Sequence, residues 1–75
     1  MHDWETLIDS NPQILFGKPI IKGTRIPVEL ILEKLSLGET VQSVLDAYPS
    51  IQEHQIRACL AFAAASLKNE RVTYF

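Results

Sequence analysis

Apolar positions recur at helical spacing through the second half of this chain. Val28, Ile31, Leu32 and Leu35 fall at i, i+3, i+4 and i+7, with Glu29, Glu33 and Lys34 outside the stripe, which predicts an amphipathic helix. Gly38 follows as a C-terminal cap. Val41, Val44, Leu45 and Tyr48 repeat the pattern after Thr40, a good N-cap, and Pro49 stops it. A third and longer helix runs from about Glu53 to Lys68. Ile56, Cys59, Leu60, Ala63 and Leu67 form one of its stripes, and Ala58, Ala61, Phe62 and Ala65 make a second apolar side. A helix apolar on nearly all sides is buried more deeply than its neighbours or contacts another chain. Two signals compete for its start: Ser50 with Glu53 makes a capping box, whereas Ile51 with Ile56 makes a hydrophobic staple that places the N-cap at Gln52.

The N-terminal part is patterned differently. Trp4, Leu7 and Ile8 suit one or two turns of helix, with Asp3 as N-cap and Ser10, Asn11 and Pro12 as the turn that ends it, a short lid over residues 1–12. Gln13 to Phe16 is a brief apolar run that suits a strand. Gly17 to Val28 then crowds two glycines, two prolines, three cations and four β-branched aliphatics into twelve positions. Pro19 donates no hydrogen bond and marks a turn or edge strand. Ile20 and Ile21 extend, Lys22 and Gly23 turn, and Thr24, Arg25 and Ile26 run back, so a β-hairpin is expected within 13–26. Lys22 fits poorly where a two-residue loop needs positive φ, which leaves room for a longer or bulged loop. Pro27 suits the first position of the helix that follows. Three helices over 27–68 and a tail over 69–75 complete a single domain.

Size narrows the picture further. A chain of 75 residues buries only about 60% of its unfolded surface, so help from a partner is plausible. The tail carries Val72, Tyr74 and Phe75 where chains usually fray, which points to docking on another chain or back on Trp4. Apolar runs are too short for a membrane span, and Asp3, Glu5 and Asp9 stand where a secretory leader would be basic, so a cytoplasmic protein is expected. The single Cys59 reads as a small core residue.

Candidate chemistry is sparse. His2 lies at the terminus, His54 has no second ligand at metal spacing, and no CxxC, HExxH or phosphate-binding glycine loop exists, so no enzyme, cofactor or metal site is expected. The last two helices, joined by a short turn at Pro49 and Ser50, have helix-turn-helix proportions. In that motif side chains at the start of the second helix reach base edges; here they are Gln52, His54, Gln55 and Arg57. Lys18, Lys22 and Arg25, with no acid among them, are candidate phosphate contacts, although Arg25 could equally pair with Glu29. The net charge of −2 argues against extensive phosphate neutralisation.

The string Gly17-Lys18-Pro19-Ile20-Ile21-Lys22-Gly23-Thr24-Arg25-Ile26-Pro27-Val28, with Ile31-Leu32, Leu35, Gly38, Tyr48-Pro49, Ile56-Arg57-Ala58 and Leu60-Ala61, resembles the domain of unknown function family 433 (DUF433). Phe16 departs from that resemblance, standing where a glycine is common, and Gln52, His54 and Gln55 replace a threonine and an acidic pair. The resemblance implies a mainly α, homeodomain-like or helix-turn-helix domain of three helices with a short N-terminal β-hairpin. It also implies the antitoxin of a type II toxin-antitoxin pair, whose partner is a PIN-like ribonuclease. The expectation is therefore a homodimer that binds the nuclease and operator DNA, with Trp4, Phe62, Val72, Tyr74 and Phe75 as partner contacts. The alternative is an interaction module of the same fold that leaves nucleic acid alone.

Overall fold

The computed structural model describes residues 4–69. It contains three helices, α1 (Val28–Ser36), α2 (Val41–Ala47) and α3 (Glu53–Asn69), preceded by an antiparallel pair of strands, β1 (Ile8–Ser10) and β2 (Pro19–Ile21). The protein is mainly α with a short N-terminal hairpin, as expected, but the hairpin is built from other residues.

Its first strand lies in the segment read as a helical lid, where a 3-10 turn, Trp4–Thr6, is the helical structure among the described residues. Ile8 pairs with Ile21, Asp9 with Ile20 and Ser10 with Pro19. This register sets Ile8 beside the fully buried Ile21 and leaves Asp9 exposed, a gain that the isolated helix pattern of Trp4, Leu7 and Ile8 could not match. Gln13 to Phe16 is not a strand. Asn11 caps a turn by accepting the Gln13 N–H on Oδ1 (2.9 Å), and a second 3-10 turn occupies Leu15–Gly17.

The expected return of the chain at Lys22 and Gly23 is present as the longer loop that Lys22 left room for, with residues 22–25 lying between Ile21 and its partner Ile26. Thr24 N–H donates to Ile21 O (3.0 Å) and only Gly23 has positive φ (+83°), as at the third position of a type II turn. Lys22 thus escapes the left-handed conformation that a two-residue hairpin loop would have demanded. After the turn only an isolated bridge, Ile20 with Pro27, and the Ile21 N–H to Ile26 O bond (3.0 Å) tie the two legs together.

Local signals account for the helix limits. Pro27 sits at the N-cap of α1, one position ahead of its expected place. At the other end Gly38 takes φ +94°, its N–H donating to Leu35 O (3.1 Å) while Glu39 N–H donates to Lys34 O (3.1 Å). Those two bonds satisfy carbonyls the helix would leave unpaired, in a Schellman arrangement. Thr40 Oγ1 accepts the Ser43 N–H (3.0 Å) and starts α2. For α3 the staple prevails over the box: Ile51 and Ile56 are both buried, and the Gln55 side chain reaches back to accept the Gln52 N–H (2.7 Å).

The core is one cluster of Ile21, Val28, Ile31, Val44, Ile51, Ile56 and Cys59, flanked by Ile8, Ile26, Leu32, Leu35, Val41, Leu45, Tyr48 and Phe62. All three helices and both strands contribute to it. On α3 the inward side is Ile56, Ala58 and Cys59, whereas Leu60 and Leu67, placed by their spacing in the same stripe as Ile56, point outward and stay about half exposed. Burial pushes the Cys59 thiol up to about 11, against a smaller opposing effect of its backbone hydrogen bond, so it is an inert core group.

Candidate functional site

The α2 and α3 helices are joined through Tyr48 to Gln52, with Ile51 N–H donating to Tyr48 O (3.1 Å), the short connection a helix-turn-helix requires. The start of α3 carries the four candidate base contacts within two turns, and they divide into two kinds. The Gln52 and His54 side chains are exposed and make no hydrogen bond among the described residues. Gln55 is half-buried and spends its acceptor on the Gln52 N–H, while Arg57 Nη2 is held 2.8 Å from Glu53 Oε2. Glu53 also places a negative charge on the helix end that would otherwise attract a phosphate.

The hairpin cations divide similarly. Lys18 Nζ lies 3.0 Å from Glu29 Oε2, taking the carboxylate that sequence spacing offered to Arg25. Lys22 and Arg25 are exposed and in no salt bridge among the described residues. No hydrogen bond or ion pair among the described residues joins this cationic segment to the start of α3. The remaining pair, Lys34 with Glu39 (3.4 Å), closes the α1 to α2 turn, and Lys34 also stands 5.9 Å above the Tyr48 ring.

Of the expected partner contacts, Trp4 and Phe62 meet edge to face within the chain, with ring centroids 5.3 Å apart and planes at 76°. Val72, Tyr74 and Phe75 lie outside the described residues. Among the described residues no group of three His, Cys, Asp or Glu side chains could hold a metal ion. No described helix is long and apolar enough to cross a membrane.

Of two exposed apolar surfaces, the sequence pattern pointed to the one on α3 without showing which residues face outward, and it missed the other. Along α3 the positions Glu53, Arg57, Leu60, Ala64 and Leu67 are all exposed and alternate in steps of four and three, so they form one outward line whose second half is apolar. The second surface is the loop between the strands. Leu15 (φ +51°), Phe16 (φ +59°) and Gly17 (φ +82°) follow one another in the left-handed region, and the Phe16 side chain is 99% exposed. Near this loop the outer side of α1 carries a shallow depression of about 480 Å³ lined by Glu29, Leu32, Glu33 and Ser36.

Three comparisons bear on identity. The fold resembles the crystal structure of a DUF433 member protein from Anabaena variabilis, with a TM-score of 0.78 over 84% of this chain and 62% of that one, at 22% identity. In sequence the chain is 35% identical over 60 residues to the uncharacterized protein y4eO of Sinorhizobium fredii; those residues are 80% of this chain but only 27% of that protein. Residues 8–63, which run from the first strand to the middle of α3, match the family described as "Protein of unknown function (DUF433)", and the chain belongs to that family.

Proposed function

We propose that this protein is a protein-binding module of the antitoxin type, which holds a PIN-like ribonuclease through the outward face of α3. The observation that carries this reading is the division of that face. Its charged half is internally neutralised by the Arg57 to Glu53 pair, and its second half, Leu60, Ala64 and Leu67, is apolar and uncovered by the described residues. Apolar surface of this kind gains from a protein partner, whereas nucleic-acid affinity rises with unpaired cations. The nuclease as partner comes from the family resemblance alone.

The test is coexpression with a PIN-like nuclease encoded in the adjacent reading frame. The two chains should copurify in fixed stoichiometry and nuclease activity should fall, while Leu60→Glu combined with Leu67→Glu should release an active nuclease. Both leucines are half exposed, so the double variant still folds. Unchanged binding by that variant would refute the assignment of this face.

One observation favours a second reading, in which the same fold also grips operator DNA. Gln52 and His54 present free polar groups at the start of α3, and Lys22 and Arg25 are unpaired among the described residues. If DNA is bound, Gln52→Ala combined with His54→Ala removes sequence preference and Lys22→Ala weakens all sequences alike. Equal and negligible gel shifts of upstream and random DNA at low salt would eliminate this reading.

A further inference from the structure

The outward line Leu60, Ala64 and Leu67 ends within one turn of Asn69, the last described residue. Leu60 and Leu67 are 48% and 57% exposed, Ala64 between them is exposed, and Ala61 and Ala63 flank the line half-buried. Two large side chains thus border a gap floored by alanine methyls. A surface that alternates large and small groups in this way receives a large side chain over the small one. Residues 70–75, Glu-Arg-Val-Thr-Tyr-Phe, follow directly and lie outside the described residues.

We propose that residues 70–75 turn back along α3 and cover this line in the free protein, with Val72 over Leu67 and the Tyr74 ring over Ala64 against Leu60, so that a nuclease must displace them to bind. This rests on the reading of the α3 face as the nuclease site and supplies its regulation.

Length and position identify the occupant. From Leu67 back to Leu60 is about 10 Å along the helix axis, which extended chain covers in about three residue steps, as from Val72 to Phe75. Glu70 and Arg71 are left for the reversal, and both suit an exposed turn. The helix ends at Asn69, and asparagine is, after glycine, the residue type that most readily takes the left-handed backbone that reverses a chain at a helix end. Alternate side chains of an extended segment share one face, so Val72 and Tyr74 turn to the helix together while Arg71 and Thr73 face water.

The tether decides between this segment and a second copy. A segment joined so close to its site meets it at an effective concentration on the order of millimolar, which a separate chain does not reach at ordinary dilution. The cover is also weak enough to leave, because the burial of two side chains is set against the ordering of the whole segment. The open form is then a minor state of about a tenth of the molecules, and a partner that needs it binds about tenfold more weakly than to an uncovered face.

Nuclear magnetic resonance of the full chain at low concentration tests the contact. Nuclear Overhauser effects should join the Tyr74 ring to the Ala64 methyl and the Val72 methyls to Leu67, and they should vanish when a mixture of labelled and unlabelled chains is filtered for contacts between molecules. Val72→Ser combined with Tyr74→Ser should raise the fluorescence of added ANS by uncovering the leucines and should tighten binding of the coexpressed nuclease about tenfold. Circular dichroism confirms that the double variant keeps its helices.

Absence of those Overhauser effects in wild type overturns the proposal, as does a Tyr74 ring that contacts only Trp4 or only a second molecule. Unchanged ANS fluorescence in the double variant also overturns it. A double variant that binds the nuclease as wild type does, or more weakly, overturns the displacement, since the segment is then no competitor. If the contacts and the ANS change are as expected but neither form binds nuclease, the cover on α3 is supported and the nuclease reading fails. If Leu60→Glu with Leu67→Glu releases the nuclease but wild type lacks the contacts, the nuclease reading stands and the cover fails.

Discussion

Replacing Phe16 by glycine should make the isolated fold more stable, although it deletes the largest side chain in its loop. Phe16 has φ +59° and ψ +32°, a left-handed conformation that costs an L-residue about 1–2 kcal/mol. Because the ring is 99% exposed, its removal forfeits almost no burial. Glycine removes the conformational cost but gives the unfolded chain more freedom, an opposing effect of about 0.5–1 kcal/mol. The difference favours Phe16→Gly by ~0.5–1 kcal/mol, equivalent to a rise in Tm of roughly 2–8 °C for a domain of this size. Phe16→Ala retains the left-handed cost and should change stability by less than about 0.5 kcal/mol. Gly17→Ala provides the converse. A Cβ there would meet Pro12 Cα at an unstrained 3.7 Å, so only the φ of +82° opposes it, and stability should fall by about 0.5–1 kcal/mol. Thermal unfolding followed by circular dichroism, at protein concentrations low enough to keep self-association out of the balance, reads all three. A Tm for Phe16→Gly at or below wild type, or equal shifts for glycine and alanine, would refute the claim that this loop stores strain.

Other elements give sharper single-site expectations. Thr40→Ala removes the acceptor for the Ser43 N–H and should destabilise by about 1 kcal/mol, with no loss in Thr40→Ser, measured by urea unfolding. Ile31→Ala empties a fully buried position in the centre of α1 and should cost about 2–5 kcal/mol, a large share of the stability of so small a domain, visible as a much lower urea midpoint. Cys59 should confer an alkaline liability. Its thiol is raised from an ordinary value of 9.0 to about 11, so the folded state prefers the neutral form. The resulting stability is complete below about pH 9 and is lost as pH rises from 9 to 11, by up to ~2–3 kcal/mol. Cys59→Ala should flatten that part of the pH profile, and iodoacetamide at pH 7 should modify Cys59 only as fast as the protein opens.

The helices were legible because their signals are local. Val28, Ile31, Leu32 and Leu35 share one face whatever the rest of the chain does, and Gly38 and Thr40 act on backbone groups within one turn of themselves. Even the staple of Ile51 on Ile56 spans only five residues. The strands were not legible for the opposite reason. Ile8–Ser10 is too short to show alternation, and its partner lies across an eight-residue connection, so only burial of Ile8 against Ile21 reveals it. Leu15 and Phe16 in left-handed backbone contradict the preference of their residue types, and the one hint of such a state was that Phe16 stands where the family resemblance has a glycine. Side-chain pairing was misread wherever the partner was tertiary: Glu29 lies four residues from Arg25, but the fold hands it to Lys18, eleven positions away. On α3 the period was right and the orientation was not. Small residues Ala58 and Cys59 let the helix approach the core on their side, which turned Leu60 and Leu67 outward.

The edge-to-face contact of Trp4 with Phe62 joins the first described turn of the chain to its last helix. Because Phe62 also packs against the core, the pair carries the burial of the core out to the segment ahead of β1, and the start of the described chain is held by a tertiary contact rather than by its own short turn.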